Sequence, residues 1–322
     1  MAAARPMARA AFSGPTEKRR TFFVFPLFNI RNLWYNASRR VFPDVCMQGE
    51  KDMDKIRRNE RMSVMMKVLA ANPNRIFTLN HFCEMFGSAK STMSEDVELL
   101  RNTVAAFDLG VVETVTGAAG GVRYRPVVSR ERARRMIADL CGQLSGTERV
   151  LPGGFLYYSD ILSTPEIVSR MGEILATAYE GTEPDFVLTM ETKWIPVAFA
   201  TANALGIPLV IARHSSKVYE GSAVNINYVS GSGSIETMSL SRRAVRENQR
   251  ALIIDDFLKG GGTARGMVEL MREFNVSVIG MAFVMSTARP EKKRVSGSRS
   301  LMTLEIREGE TPEAIVTPAG WL

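Results

Sequence analysis

The chain has 322 residues, 45% of them hydrophobic and 23% charged, with three cysteines, which excludes collagen-like, disordered and small disulfide-stapled classes and leaves room for two domains. The 41 Lys and Arg outweigh the 34 Asp and Glu, and the excess is uneven: net charge is +5 over residues 1–52, +3 over 53–130 and −1 over 131–322. A basic front and a neutral back point to a polyanionic partner for the N-terminal part.

Residues 1–52 read as a disordered N-terminal extension. Arg19-Arg20 followed by Thr21 to Phe28 resembles a twin-arginine export signal, but the apolar run stops at Asn29, far short of the ~18 residues of a membrane span. A helical pattern opens near Met53. Ile56, Met62, Met65, Met66, Val68 and Leu69 recur at helical spacing between Lys55 and Ala71, with Arg57, Arg58, Arg61 and Lys67 between them, and the helix ends before Pro73. Thr78 can cap a second helix, Leu79 to Phe86, and Gly87 can close it. Thr92 and Glu95 have capping-box spacing, which starts a third helix at that point, carrying Val97, Leu99, Leu100 and Val104.

Two short helices joined through Gly87 make a helix-turn-helix. Lys90, Ser91, Thr92 and Ser94 supply short donors and one cation where a recognition helix meets phosphates and base edges, and Arg58 adds a cation from the first helix. Val111 to Val115 and Val122 to Val128 form a hairpin around a glycine-rich turn, the wing of a winged helix, with Arg123 and Arg125 on one face of its return strand. A small domain that docks a protein partner is the competing reading of this module.

The remainder alternates strands and helices. Pro184 to Met190, Pro208 to Ala212, Arg250 to Ile254 and Val276 to Val284 read as strands, with helices over Ile195 to Leu205 and Ala264 to Phe274. That order means a parallel sheet whose ligands bind beyond the carboxyl ends of the strands. At one such end stands Asp255-Asp256-Phe257-Leu258-Lys259-Gly260-Gly261-Gly262-Thr263. Three glycines let backbone N–H groups converge on a phosphate at a helix N-terminus, and Thr263 adds a hydroxyl. The carboxylates suit ribose hydroxyls or a divalent metal, so the loop describes a ribose-5-phosphate ligand.

This loop resembles the 5-phosphoribosyl-1-diphosphate (PRPP) motif of type I phosphoribosyltransferases. Thr192-Lys193-Trp194 stands where that fold has its pyrophosphate loop, and Arg213 to Ser239, with Lys217, resembles its long flexible loop. Enzymes acting on hypoxanthine and guanine carry an aspartate three residues after the acidic pair; here Lys259 occupies that place, and an ammonium cannot take a proton. Lys259 could pair with a nucleotide's phosphate, and Phe257 could stack on a base.

Ser88 to Ser91, Gly117 to Val122, Leu151 to Gly154, Lys217-Val218, Glu220 to Ser222, Ile226 to Gly231, Thr237 to Leu240 and Leu252 to Phe257 together resemble the purine operon repressors of Gram-positive bacteria, over residues 53 to about 285. The resemblance implies an α/β chain with a winged-helix DNA-binding domain at 53–128 and a phosphoribosyltransferase-like effector domain at 129–322. It implies a cytoplasmic homodimer that binds double-stranded operator DNA at purine synthesis and transport genes and has no membrane association. Its pocket would sense rather than catalyse: PRPP, with or without Mg²⁺, relieves repression, and guanosine tetra- and pentaphosphate compete for the same place. The pocket residues so implied are Asp255, Asp256, Phe257, Lys259, Gly260, Gly261, Gly262, Thr263, Thr192, Lys193, Arg213, Lys217 and Phe155, with no catalytic residue and no metal ligand. His214 stands where the family has a second cation and Phe155 where it often has tyrosine; the segment after Arg289, with Lys292-Lys293-Arg294, departs from the family. An active purine phosphoribosyltransferase is the rival reading.

Overall fold

The computed structural model describes residues 56–117, 120–217, 221–231 and 233–322; the extension 1–52, with its twin arginines, lies outside them. The described chain begins with three helices, α1 (Arg58–Ala70), α2 (Leu79–Phe86) and α3 (Lys90–Ala106), and a hairpin of β1 (Val111–Val115) and β2 (Gly121–Arg125). Thr78 caps α2 by accepting from the His81 N–H, and Gly87 ends it at φ 59°, both as the sequence predicts. Apolar residues one helical turn apart (Met65 and Leu69 on α1, Phe82 and Phe86 on α2, Met93 and Val97 on α3) meet Val112 and Val122 of the hairpin in one core. The hairpin is tied to the helices where Phe77 and Val122 exchange backbone hydrogen bonds of 2.9 and 2.8 Å.

Two details differ from the sequence reading. α3 starts at Lys90, with Ala89 at its cap position, rather than at Thr92. Glu95 is not a capping partner, because it pairs with Arg58 at 2.7 Å, and a carboxylate gains more from a guanidinium than from a neutral backbone N–H. Arg61, expected among the polar positions of α1, turns inward and is 5% exposed, because it bonds the fully buried Asp96 at 2.7 Å.

α4 (Arg130–Leu144) opens the rest of the chain, with Ser129 at its cap accepting from the Arg132 N–H. There follow β3 (Val150–Leu151) and β4 (Phe155–Leu156), α5 (Ser159–Leu162), α6 (Pro165–Ala178), β5 (Phe186–Met190), α7 (Ile195–Leu205), β6 (Leu209–Ala212), β7 (Ala223–Val229), β8 (Ile235–Ser241), β9 (Arg250–Leu258), α8 (Gly262–Glu273), β10 (Ser277–Thr287), β11 (Arg299–Arg307) and β12 (Glu313–Pro318). Six strands make one sheet in the order β12-β11-β10-β9-β5-β6, parallel throughout except for the edge strand β12. Central strands buried on both faces send alternate residues to opposite layers. Val187, Leu252 and Ile254 join the cluster that holds α4, α6 and α7 residues, while Phe186, Leu188, Ala251 and Ile253 join the cluster under α8.

The sequence reading needs three corrections here. β9 runs on to Leu258, so both aspartates lie within a strand rather than in a loop. The unassigned tail supplies β11 and β12, which complete the sheet. The expected flexible loop is largely a hairpin: β7 and β8 pair from Ala223–Ser241 to Val229–Ile235.

Helical and α/β parts are joined by specific contacts. The Asn74 amide donates to Ala204 O at 2.6 Å, and a Cβ on Gly206 would strike Pro73 O at 2.5 Å, so only glycine allows this approach. Arg125 of β2 pairs with Glu180, just beyond α6.

Candidate functional site

The carboxyl ends of β5, β6 and β9 open on one side of the sheet, since β5 pairs in parallel with both neighbours. Three segments predicted for the pocket therefore share that edge. After β5 comes Thr192-Lys193, held by Trp194, which is buried and packs at a tilt against Tyr158 with ring centres 4.9 Å apart; the Trp194 backbone N–H donates to Thr192 Oγ1. Lys193 itself is exposed. After β6 comes Arg213, which donates to Glu191 at 3.0 Å, and then Lys217, whose ammonium donates to Ser215. At the end of β9 come the two aspartates and the glycine loop.

Asp255 is 3% exposed and its Oδ1 has no hydrogen-bond partner. Burial holds its carboxyl well above the usual carboxylate range, and the neighbouring Asp256 charge adds to that. Asp256 is also raised by burial, opposed by the Phe257 N–H that donates to it. An orphaned buried acceptor beside a glycine loop is the chemistry expected of a group that awaits a hydroxyl or cation from a ligand. Gly261 adopts φ 80° at the cap position before α8, and the N–H groups of Gly260 and Gly261 donate to no described residue. Lys259 is exposed.

The structure adds residues that the sequence reading did not single out. Tyr228 of β7 donates to Glu236 of β8 at 2.8 Å; burial and then Glu236 push its phenol upward. A Cβ on Gly262 would meet Val229 O at 2.0 Å, so the hairpin lies directly on the loop. The alternation Val224, Ile226, Tyr228 was the available signal for a strand, but nothing in it told which loop the strand would cover. Of the two predicted stacking groups, Phe257 is half-buried against the main core and Phe155 is 69% exposed on β4. Phe257 turns inward because burying an aromatic ring outweighs leaving it at the edge.

At the other end, Lys90, Ser91 and Ser94 are exposed on the first turns of α3 and Thr92 is half-buried. The remaining predicted DNA contacts are engaged within the protein. Arg58 bonds Glu95 and Asp96. Arg123 bonds Glu113, and Arg125 pairs with Glu113 at 3.2 Å and with Glu180, turning the return strand of the wing toward the α/β domain. Half-buried guanidinium groups take these carboxylates because an unpaired charge there is costly.

No helix among the described residues is long and apolar enough to cross a membrane. Residues 57–126 match the model of the bacterial purine repressor N-terminal domain, and residues 157–318 that of the phosphoribosyl transferase domain. The chain is 43% identical over 250 residues to the probable purine biosynthesis transcriptional regulator of Streptococcus pneumoniae, covering 77% of this chain and 91% of that one. It is 41% identical over 251 residues to the purine biosynthesis transcriptional repressor of Bacillus subtilis (78% and 88%), and 37% identical to the transcriptional activator of Lactococcus lactis (78% and 93%).

Proposed function

This chain belongs to the bacterial purine repressor family, and from that membership we propose that it is a DNA-binding transcriptional regulator of purine genes which senses PRPP without transferring its phosphoribosyl group. The observation that carries the reading is the coexistence, in one compact unit of residues 55–322, of an exposed donor-rich first turn on α3 and an orphaned Asp255 carboxylate beside the glycine loop. Operator DNA is met by Lys90, Ser91, Thr92 and Ser94. PRPP is met by the Asp255–Asp256 pair on its ribose side, directly or through Mg²⁺, by residues 260–263 on its 5-phosphate, and by Thr192-Lys193, Arg213 and Lys217 at its pyrophosphate. Guanosine tetra- and pentaphosphate compete there, with Lys259 as the cation for their extra phosphates. The chain acts as a homodimer on a two-fold operator.

The test is a mobility-shift titration of labelled purine-promoter DNA with and without PRPP and Mg²⁺. Binding that PRPP releases is the expected result; no preference for that DNA over unrelated DNA would overturn the reading. The phosphoribosyl transferase domain favours one rival, an active purine enzyme, which steady pyrophosphate release from PRPP and a purine base would establish.

Lys90→Ala should weaken DNA binding and lower the slope of log affinity against log salt by about one unit, the loss of one phosphate contact. Arg123→Ala should leave that slope unchanged, because its charge is already neutralised by Glu113. A reversed pattern would place the DNA on the wing instead.

A further inference from the structure

The tail segment Lys292-Lys293-Arg294, which has no role in the sequence reading, folds against the glycine loop. Lys293 Nζ donates to the carbonyls of Lys259 (2.7 Å) and Thr287 (2.8 Å) and to Thr287 Oγ1 (3.0 Å), so all three of its protons are engaged. The Arg294 N–H donates to Gly260 O at 3.0 Å, and its guanidinium reaches Val229 O of the β7 hairpin at 3.3 Å. Val295 then packs with the small cluster of Leu258, Ala264 and Phe283, anchoring the segment.

The direction of these bonds matters. In a planar trans peptide the C=O and N–H point opposite ways. Holding the carbonyls of Lys259 and Gly260 toward the tail therefore turns the N–H groups of Gly260 and Gly261 away from it, and neither of them donates to a described residue. Gly261 in the left-handed region makes successive N–H groups converge, as in an anion nest. A cation on the carbonyl side also polarises the peptide and strengthens its N–H as a donor. None of the three acceptors of Lys293 is a carboxylate, so its charge is left for an anion to neutralise.

We infer that Lys293 and the backbone of Arg294 brace the glycine loop, aiming the Gly260 and Gly261 N–H groups at the phosphate of a sugar-phosphate ligand, with Lys293 as a positioning residue for that ligand. The inference rests on the reading of the pocket given above and adds to it a determinant outside the acidic and glycine motif. It assigns the tail a part in ligand affinity beyond completing the sheet.

The test is calorimetric titration of the full chain with ribose 5-phosphate and with PRPP, for wild type, Lys293→Met and Lys293→Arg. Lys293→Met should weaken both ligands on the order of tenfold, through the lost positive charge behind the loop and the looser aim of its N–H groups, and Lys293→Arg should recover most of that, which a merely space-filling role would not predict. Wild-type affinity in Lys293→Met overturns the brace while leaving the pocket intact. Absence of binding in the wild type overturns the pocket reading and the brace with it. Should Lys293→Met fold poorly, amide resonances of the wild type decide the matter: those of Gly260 and Gly261 should move most on adding ribose 5-phosphate, and unmoved resonances in a protein that binds it overturn the inference.

Discussion

Asp255→Asn should bind promoter DNA as wild type does and no longer release it with PRPP. The carboxylate lies at the carboxyl end of β9, in a domain that meets no DNA in the proposed arrangement, and its Oδ1 is buried without a partner. The amide keeps an acceptor oxygen but loses the negative charge that the ribose side of the ligand, directly or through Mg²⁺, would meet. Saturating wild type at a hundred times the Kd should stabilise it by about 2.7 kcal/mol, roughly 5–10 °C in Tm for a unit of this size; the variant should gain almost none of this.

Its ligand-free stability should move the other way. Because burial raises the folded pKa of Asp255 above the ordinary value of 3.8, the carboxyl stabilises the fold fully only below 3.8, and that contribution fades as pH rises through the raised folded value. Asp255→Asn should therefore flatten the decline in stability over that window and be no less stable than wild type at neutral pH. Urea titrations at several pH values with and without PRPP measure both effects. Full PRPP response in the variant would remove Asp255 from the pocket.

Asp96→Ala should unfold the helical domain at temperatures where wild type is intact. Asp96 is wholly buried and accepts from Arg61 at 2.7 Å and Arg58 at 3.0 Å, while Arg61, 5% exposed, also reaches Ile56 O. Truncating the aspartate strands a buried guanidinium, which costs about 3–5 kcal/mol. Arg58 is half exposed, so Arg58→Ala should cost less than about 1 kcal/mol. Replacing Arg61 and Asp96 together by Met and Leu should recover much of the loss, since no charge is then left unpaired. Circular dichroism melts of the four proteins test this; an Asp96→Ala variant within 1 kcal/mol of wild type would contradict the buried-triad account.

The helix-turn-helix was legible because its signals are local: Thr78 caps, Gly87 closes in the left-handed region, and apolar residues repeat at helical spacing. The ligand loop was legible for the same reason, as a strand, an acidic pair, three glycines and a helix follow one another without a gap. What the sequence by itself determined is the helix-turn-helix with its wing, the alternating strands and helices of the parallel sheet's centre and the chemistry of residues 255–263, all of which depend on neighbours in the chain. Only the tertiary structure decided how distant charges are spent. Arg125 pairs with Glu180 across the two parts of the chain, Arg61 goes inward to Asp96, and Lys293 crosses to Lys259 O. Each of these choices joins residues 34 or more positions apart in the chain, where periodicity and capping carry no information, and each is settled by the cost of desolvating a charge without a partner.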